Sequence, residues 1–385
     1  MKRKIRMGMV GGGRGAFIGG VHRMAAALDG QIELVCGAFS SDPEVSLKSG
    51  KDFFLPLERC YGSYSLMMEE EAKLPLGERM DFVSIVTPNH LHFAPAMLAL
   101  EHGFHVVCDK PICLTMEEAT QLREKVRASG LIFCLTHNYT GYPMVKQAKH
   151  LVARGAIGPI RRVVVEYAQG WLSDDLESTG HKQASWRTNP ALAGIAGAMG
   201  DIGTHAENLC GYITGLQIES VCADLHTHIS GRQLDDDGNV LLRFDNGARG
   251  ILTASQVAAG EENNLRIKIY GEYAGLEWAQ MEPNTLTIRW NEKPVQIFRT
   301  GGPDLCPEAE AHTRLPSGHP EGYLEAFANI YRNVAHCIQA RLSGEEADNI
   351  YLDFPSAEDG VRGMAFVEAV VQSNIKNTWM QVVTN

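Results

Sequence analysis

The sequence predicts an α/β protein in two parts: an N-terminal domain with a doubly wound parallel sheet, then an α/β domain with a large, mostly antiparallel open sheet. The chain has 385 residues, more than a single hydrophobic core usually serves. Over about its first third, short β-type runs alternate with helix-type segments, the pattern of a parallel sheet covered on both faces. Beyond residue 160, short alternating runs separated by turn residues indicate antiparallel strands.

The N-terminal domain is expected to cover residues 1–137. Its strands are predicted at residues 5–10, 32–39, 82–87, 104–108 and 131–136, and its helices at 15–28, from Pro43, at 93–102 and at 116–129. The run at 82–87 is mostly apolar, which is typical of a strand buried on both faces, and Pro88 ends it. Gly103 and Gly130 directly follow two of the helices, where glycine favours termination.

Residues 138–385 are expected to form the second domain. Its strands are predicted at residues 163–168, 220–228, 240–244, 250–256, 265–270, 276–279 and 285–290. Asp245-Asn246-Gly247 and the segment 271–275 lie between such runs and predict hairpins. Helices at 323–341 and 357–374 close the chain, and the last is expected to pack back toward the first domain. Residues 301–320 are predicted to form a loop.

Charge and composition exclude several classes of partner. With 46 acidic and 35 basic residues, the formal charge of −11 gives no cationic field for nucleic acid or an anionic membrane. No apolar run reaches the roughly 18 to 20 residues that span a bilayer. The basic start, Lys2-Arg3-Lys4, leads into a glycine-rich turn instead of the apolar stretch of an export signal. We therefore expect a cytoplasmic protein without nucleic-acid or membrane partners.

The potential metal ligands lack the spacing of known sites. The 9 cysteines include no C-x-x-C pair and are expected to be reduced thiols. His226 and His228 have no third ligand nearby in sequence, and Asp235-Asp236-Asp237-Gly238 lacks the ligand spacing of an EF-hand. We predict no metal site.

A glycine-rich turn follows the first predicted strand and leads into a helix. Its sequence from residue 11 to residue 19 is GGGRGAFIG. Glycines in such a strand–turn–helix context let a pyrophosphate approach the N–H groups at the helix N terminus, which predicts dinucleotide binding. The residues expected to contact the cofactor here are Gly11, Gly13, Arg14, Gly15, Phe17, Ile18 and, at the end of the second strand, Ser40.

The residues at the end of the second predicted strand do not show whether the cofactor is NAD or NADP. An acidic residue at its end usually takes the ribose hydroxyls and marks NAD preference. Ser40 holds that place, and the first acid is Asp42. Neither an acid nor an arginine is positioned to decide in the sequence, so NAD is expected and NADP stays open.

Three residues suit the chemistry of a dinucleotide. Hydride transfer from an alcohol carbon requires a base for the hydroxyl proton. Lys110 follows the strand at 104–108, at the carboxyl edge of the parallel sheet. Asp201 and His205 are four residues apart and share a face if they begin a helix, so that His205 takes the proton while Asp201 supports it or binds a substrate hydroxyl. The alternatives are a solvated lysine, an aspartate cap and a structural histidine.

The motifs as a set resemble the Gfo/Idh/MocA family of oxidoreductases over almost the whole chain. The resemblance rests on the glycine turn and, in order, on Thr87-Pro88-Asn89-His90-Leu91-His92, Asp109-Lys110-Pro111, Asn138-Tyr139 and Gly200-Asp201-Ile202-Gly203-Thr204-His205. The family usually has Glu-Lys-Pro, so Asp109 is shorter by one methylene and keeps the charge. The resemblance implies a Rossmann domain followed by an open α/β domain that binds substrate and whose sheet supports a homodimer or homotetramer.

The resemblance also implies roles for single residues. Lys110, Asp201 and His205 are similar to the family's catalytic residues. The residues that it places beside the cofactor are Thr87, Pro88, Asn89, His92, Asp109, Lys110 and Asn138. Lys110, Asp201 and His205 are also expected to contact the substrate, together with Tyr139, Trp186 and Arg187. The Trp186-Arg187 pair would supply a stacking surface and a hydrogen-bonding fork for a sugar ring; the alternative is a buried tryptophan beside a surface arginine.

The resemblance to dehydrogenases that oxidise the C3 hydroxyl of glucosides or anhydro-sugars such as levoglucosan indicates the activity. We expect an NAD(P)-dependent enzyme that moves a hydride between the nicotinamide and a ring hydroxyl or ketone of a sugar, glycoside or anhydro-sugar. The alternatives are an inositol dehydrogenase, an NADPH-dependent keto-sugar reductase and a dinucleotide-binding sensor without catalysis. The sequence names neither the sugar, the carbon nor the direction of the reaction.

Overall fold

The computed structural model describes residues 3–384. The strands are β1 (Ile5–Gly11), β2 (Ile32–Ala38), β3 (Phe82–Val86), β4 (His105–Cys108), β5 (Phe133–Leu135), β6 (Ile160–Ala168), β7 (Ile218–His226), β8 (Asp237–Phe244), β9 (Arg249–Ser255), β10 (Asn264–Gly271), β11 (Ala274–Ala279), β12 (Thr285–Trp290), β13 (Gln296–Arg299) and β14 (Met380–Gln381). The α-helices are α1 (Phe17–Leu28), α2 (Pro43–Asp52), α3 (Tyr64–Lys73), α4 (Phe93–Glu101), α5 (Met116–Ser129), α6 (Pro143–Ala153), α7 (Lys182–Arg187), α8 (Pro190–Ala193), α9 (Thr204–Thr214), α10 (Pro307–Ala311), α11 (Tyr323–Ser343) and α12 (Ala357–Lys376).

Two compact units make up the chain, and both are discontinuous in sequence. The first contains Met1–Asn138 and Tyr323–Val361, and the second contains Tyr139–Gly322 and Arg362–Asn385. The first unit therefore includes α11 and the first residues of α12, and the packing of the helix at 357–374 toward the first domain stays a prediction. Phe327 and Tyr331 of α11 are fully buried against His22 of α1, which explains why this helix joins the first unit.

A five-stranded parallel sheet forms the centre of the first unit, in the order β2-β1-β3-β4-β5. All five residues of β3 are buried, as expected for the middle strand of a sheet covered on both faces. α5 begins at Thr115, whose hydroxyl accepts a hydrogen bond from Glu118 N, and ends at the left-handed Gly130. The predicted parallel sheet is confirmed, and its strand ends differ from the prediction by one or two residues.

A nine-stranded sheet forms the second unit, in the order β13-β12-β11-β10-β6-β9-β8-β7-β14. Its pairs are antiparallel except for β6 with β9, so the predicted mostly antiparallel sheet is confirmed. Burial alternates along β8, because one face packs against helices and the other is open. α6 and α9 lie on the covered face. Both predicted hairpins, β8–β9 and β10–β11, are present.

Several elements were not predicted from the sequence. They are α3, α6, α7, α8, β13, β14 and the short α10, which lies inside the predicted loop at 301–320; a helix at α9 was considered only as the condition for pairing Asp201 with His205. The two terminal strands pair only along the edges of the large sheet, so their sequences carry little of the alternation that marks a half-buried strand. Within residues 3–384, none of the helices is both long enough and apolar enough to cross a membrane.

Candidate active site

The glycine turn between β1 and α1 has the backbone that its sequence predicts. Gly11 and Gly12 have φ values of 82° and 72°, in the left-handed region that side chains disfavour. A Cβ atom on Gly19 would lie 2.3 Å from Gly12 Cα, so the helix and the turn touch through backbone alone. Arg23 Nη1 of α1 donates a hydrogen bond to Gly12 O at 2.7 Å and thereby fixes the turn to the helix.

The N terminus of α1 is suited to a phosphate group. Its N-cap residue is Ala16, whose methyl side chain cannot accept a hydrogen bond, and its first turn has no acidic residue. The N–H groups of that turn therefore remain for an anionic ligand, as in other glycine turns that hold a pyrophosphate. The turn fits the pyrophosphate of a dinucleotide. Phe17, at the first helical position, has 72% of its side chain exposed.

The loop after β3 lies against the same turn. A Cβ atom on Gly11 would come within 2.9 Å of Thr87 Cγ2, which places the Thr87-Pro88 segment beside the glycines. Thr87 Oγ1 donates to Leu91 O at 2.9 Å and closes the loop. Asn89 is 7% exposed. These residues were predicted to lie on the cofactor side, and Thr87 borders the glycine turn.

His92 holds two loops together through their backbones. Its ring is fully buried, with Nδ1 2.6 Å from Pro111 O and Nε2 2.9 Å from Thr87 O. Burial lowers the pKa of this imidazole. The ring of His92 thus lies between the Thr87 loop and the Lys110-Pro111 loop, and its predicted contact with the cofactor stays a prediction.

Asp109 anchors the loop that carries Lys110. Its Oδ1 accepts hydrogen bonds from Lys110 N at 2.9 Å and from Thr136 Oγ1 at 2.8 Å. Its Oδ2 lies 3.9 Å from Nε2 of the fully buried His22. Lys110 follows β4 at the carboxyl edge of the sheet, as predicted, and is partly buried.

The side chain of Asn138 supports the interpretation that a ligand binds at the carboxyl edge of the parallel sheet. It is 2% exposed, and its side-chain Nδ2 is buried without a hydrogen-bond partner among the described residues. A buried amide donor normally has a partner, so an unpaired one beside a predicted cofactor site is consistent with a bound polar group. Asn138 was predicted to be a cofactor contact.

In the second unit, Asp201 lies in a π-helical turn, Met199–Gly203, directly before α9. Its Oδ2 accepts hydrogen bonds from Arg187 Nε at 3.2 Å and from Gln256 Nε2 at 2.9 Å. In the sequence, a helix beginning here was a condition for pairing Asp201 with His205, and the π-helix, a form often found at functional sites, was not predicted. The pairing of Asp201 with His205 stays a prediction.

Trp186 and Arg187 form one partly buried cluster, so the tryptophan is not fully buried and the arginine is not a surface residue; a contact of the pair with a sugar ring stays a prediction. The guanidinium carbon of Arg187 is 4.2 Å from the centre of the Trp186 ring and 5.9 Å from that of Trp171. Trp186 Nε1 donates to Gln183 Oε1 at 3.3 Å. The cation therefore contacts aromatic rings and the Asp201 carboxylate at once.

His205 is the second residue of α9, and its ring lies beside two tyrosines. Its side chain is 7% exposed, and its ring meets Tyr139 edge-on with centroids 4.9 Å apart and Tyr167 with centroids 6.2 Å apart. The hydroxyls of Tyr139 and Tyr167 are hydrogen-bonded to each other, and Asn263 Nδ2 donates to Tyr139 at 3.1 Å. Burial raises the pKa of Tyr139.

Sequence reasoning missed the residues that hold Asp201 and the tyrosines in place: Gln256, Tyr167, Asn263, Gln169 and Trp171. They come from the ends of β6, β9 and β10, where polar residues follow alternating strands. That position is a weak sequence signal, because polar residues also end strands at ordinary turns.

Both halves of the chain match family models. Residues 5–139 match the model described as an oxidoreductase family with an NAD-binding Rossmann fold. Residues 145–277 match the model of the GFO/IDH/MocA C-terminal domain. The boundary between the two models falls where the first compact unit ends its N-terminal segment.

Individual proteins resemble the chain over nearly its full length. The Bacillus subtilis protein named "uncharacterized oxidoreductase YfiI" is 34% identical over 99% of this chain and 98% of its own. Levoglucosan dehydrogenase of Pseudarthrobacter phenanthrenivorans is 26% identical over 99% of this chain and 98% of its own. The crystal structure of an inositol dehydrogenase homologue from Azotobacter vinelandii, complexed with NADH and myo-inositol, matches with a TM-score of 0.91 and 35% identity, covering 99% of this chain and 98% of that one.

Proposed function

This chain belongs to the Gfo/Idh/MocA family of NAD-binding oxidoreductases, and we propose that it moves a hydride between the nicotinamide and a ring carbon of a sugar, glycoside or anhydro-sugar. We place the reaction at the C3 hydroxyl or ketone. Levoglucosan dehydrogenase and a D-glucoside 3-dehydrogenase are relatives of 26% and 27% identity, the second over 56% of this chain, which supports the substrate class.

The observation that carries the proposal is the set of groups around Asp201. A carboxylate held in place by a guanidinium and an amide is a fixed acceptor group of the kind that binds sugar hydroxyls. The indole rings of Trp171 and Trp186 beside Arg187 offer the apolar surface on which a sugar ring packs. A fixed carboxylate beside aromatic rings is therefore suited to a polyhydroxylated ring.

We assign a role in hydride transfer to each of the three proposed catalytic residues. In the direction of oxidation, the hydroxyl proton passes to Nδ1 or Nε2 of His205 as the C–H bond gives up its hydride, and reduction returns that proton to the carbonyl oxygen. Asp201 accepts a substrate hydroxyl hydrogen bond or stabilises the imidazolium. The Lys110 ammonium orients the reacting hydroxyl and stabilises negative charge on its oxygen. When bound, the nicotinamide supplies the hydride acceptor or donor.

The dinucleotide is assigned to the first unit. We propose that the glycine turn and the N terminus of α1 hold the pyrophosphate, with contacts from Gly11, Gly13, Arg14, Gly15, Phe17 and Ile18. Ser40 is assigned to the ribose. Thr87, Pro88, Asn89 and Asn138 are assigned to the nicotinamide side, supported by the position of Thr87 next to Gly11 and by the unpaired amide of Asn138.

Oxidation of an inositol is the second candidate function. The inositol dehydrogenase homologue complexed with myo-inositol is 35% identical to this chain, more than the 26% of levoglucosan dehydrogenase. Inositol is also a polyhydroxylated six-membered ring, so the same groups around Asp201 would serve it. An NADPH-dependent keto-sugar reductase would use the same residues in the opposite direction.

We further propose a cytoplasmic homodimer or homotetramer. The open face of the large sheet exposes Leu241, Tyr270 and Ile297, at 49%, 42% and 58%, and an exposed apolar sheet face favours association. All nine cysteines are free thiols, which fits a reducing compartment.

A substrate screen tests the function. Purified protein would be offered glucosides, levoglucosan, inositols and keto-sugars, each with NAD(H) and NADP(H), while the absorbance of reduced nicotinamide is followed. We expect turnover with at least one glucoside or anhydro-sugar, and analysis of the product by NMR to show the ketone at C3. Turnover confined to inositols would favour the second candidate, and bound cofactor without turnover of any ring polyol would contradict both.

A further inference from the structure

The glycine turn is fixed to the end of β2 and to α2. Gly13 N donates a hydrogen bond to Phe39 O at 3.2 Å, one residue beyond the strand. Arg14 N donates to Ser49 Oγ of α2 at 3.1 Å. The side chain of Arg14 therefore starts close to the point where a Rossmann domain usually recognises the adenosine ribose.

Arg14 is held by an aspartate at the last position of α2. Its Nε donates to Asp52 Oδ2 at 2.6 Å and its Nη2 donates to Asp52 Oδ1 at 2.8 Å, a two-point pair. The hydrogen bond between them raises the pKa of Arg14 and lowers the pKa of Asp52. Both side chains are about half exposed, at 53% and 44%, so the pair is accessible to a ligand.

The strand-end position that usually holds an acid and distinguishes NAD from NADP is occupied by Ser40, and the side chains of Ser40 and Asp42 accept hydrogen bonds from backbone N–H groups. Ser40 Oγ accepts a hydrogen bond from Asp42 N at 3.1 Å. The Asp42 carboxylate caps α2 by accepting hydrogen bonds from Glu44 N at 2.9 Å and Val45 N at 3.4 Å. The Arg14–Asp52 pair lies next to the same glycine turn and is a charged pair that can act in discrimination between a ribose hydroxyl and a ribose phosphate.

We propose that Asp52 sets the preference for NAD over NADP by occupying the guanidinium of Arg14. An arginine near this strand end accommodates the 2′-phosphate of NADP, and a carboxylate beside it repels that phosphate. With Asp52 in place, Arg14 is neutralised and the chain binds NAD. Without the carboxylate charge, the same arginine becomes a 2′-phosphate site. This inference rests on one part of the proposed function, the binding of a dinucleotide, and not on the proposed reaction or substrate.

Calorimetric titration of the full chain with NAD and with NADP tests the inference without any turnover. Asp52→Asn keeps the size of the side chain and removes its charge. We expect it to tighten the Kd for NADP by about tenfold, the effect of one additional charge-assisted contact, and to leave the Kd for NAD within about twofold. Adding Arg14→Met to Asp52→Asn should remove the gain.

Glu44→Gln is the matched control, because Glu44 lies on the same helix and pairs with Lys48 at 3.3 Å. The control should change neither Kd. The inference is overturned if Asp52→Asn leaves the ratio of the two Kd values unchanged, if Glu44→Gln shifts it equally, or if the gain survives Arg14→Met. If one of these three results is obtained and the wild-type chain still binds NAD, only the role of Asp52 is contradicted and the proposed function stands. If the wild-type chain binds neither NAD nor NADP, both the role of Asp52 and the proposed function are contradicted.

Discussion

Arg187 donates a hydrogen bond to Asp201, with Nε 3.2 Å from Oδ2, and this ion pair joins α7 to the π-helical turn before α9. Only 25% of the arginine side chain and 18% of the aspartate side chain are exposed. Gln256 donates to the same carboxylate oxygen at 2.9 Å. These two donors thus help to fix the direction of the Asp201 carboxylate, the group to which we assign a substrate hydroxyl.

Replacing Arg187 by lysine should weaken substrate use. A lysine keeps the charge but loses the planar guanidinium that contacts Asp201 and stacks near Trp186. We expect kcat/KM for the sugar to fall by about ten- to a hundredfold, mostly through KM. Arg161→Lys is the matched control, because Arg161 pairs with Glu272 on the surface of the same unit. Equal losses in the two variants would contradict a substrate role for Arg187.

One buried histidine, His22, and one partly buried histidine, His105, should make the first unit sensitive to acid. Burial lowers the pKa of His22 and of His105 to about 4, from 6.5. The neutral form is therefore favoured in the folded state, so each contribution is complete above pH 6.5 and is lost as the pH falls toward 4. The loss amounts to about 3 kcal/mol for each histidine.

Urea unfolding followed between about pH 7 and pH 4 measures this slope. His105→Asn should flatten it, because an asparagine oxygen can accept the hydrogen bond that Ile132 N donates to Nδ1 at 3.0 Å but does not titrate. His319→Gln, at an exposed histidine, should leave the slope unchanged. A slope identical in all three proteins would show that His105 is not the cause.

Alanine at Gly19 should abolish tight cofactor binding. Its Cβ would lie 2.3 Å from Gly12 Cα, so α1 or the turn must move. We expect the Kd for NAD to rise by at least about tenfold, since the backbone could no longer approach the pyrophosphate as closely. Gly20→Ala is the control in the next position of the same helix, where the nearest heavy atom to a Cβ is Arg23 Nη2 at 4.0 Å. The expectation fails if Gly19→Ala binds NAD as the control does.

The periodic parts of the fold were predictable from the sequence. β3 could be recognised because its residues are buried on both faces, and β8 because burial alternates along it. The return of α11 to the first unit could not be predicted, since the contact of Tyr331 with His22 joins residues that are 309 positions apart. Amphipathic periodicity identifies a helix but not the surface that it covers.

The candidate site residues could be identified in the sequence from motifs, but the side chains to which they are hydrogen-bonded could not. Arg187 and Asp201 each belong to a recognisable motif, yet their pairing depends on a π-helical turn that leaves no mark in sequence periodicity. Gln256 was missed because it belongs to no motif. Arg14 was predicted as a cofactor contact, but its pairing with Asp52 required the spatial proximity of the turn and the end of α2.

A double-mutant cycle on Lys110 and His205 tests the central claim most directly, because it asks whether an ammonium and an imidazole from distant parts of the chain serve one reaction step. Lys110→Met and His205→Gln would be compared with the double variant for turnover, with NAD binding measured by calorimetry. We predict that each single change lowers kcat by at least about a hundredfold, that the double variant loses little more than the worse single variant, and that NAD binding is nearly unchanged. Turnover that survives His205→Gln, or losses that multiply in the double variant, would contradict the account.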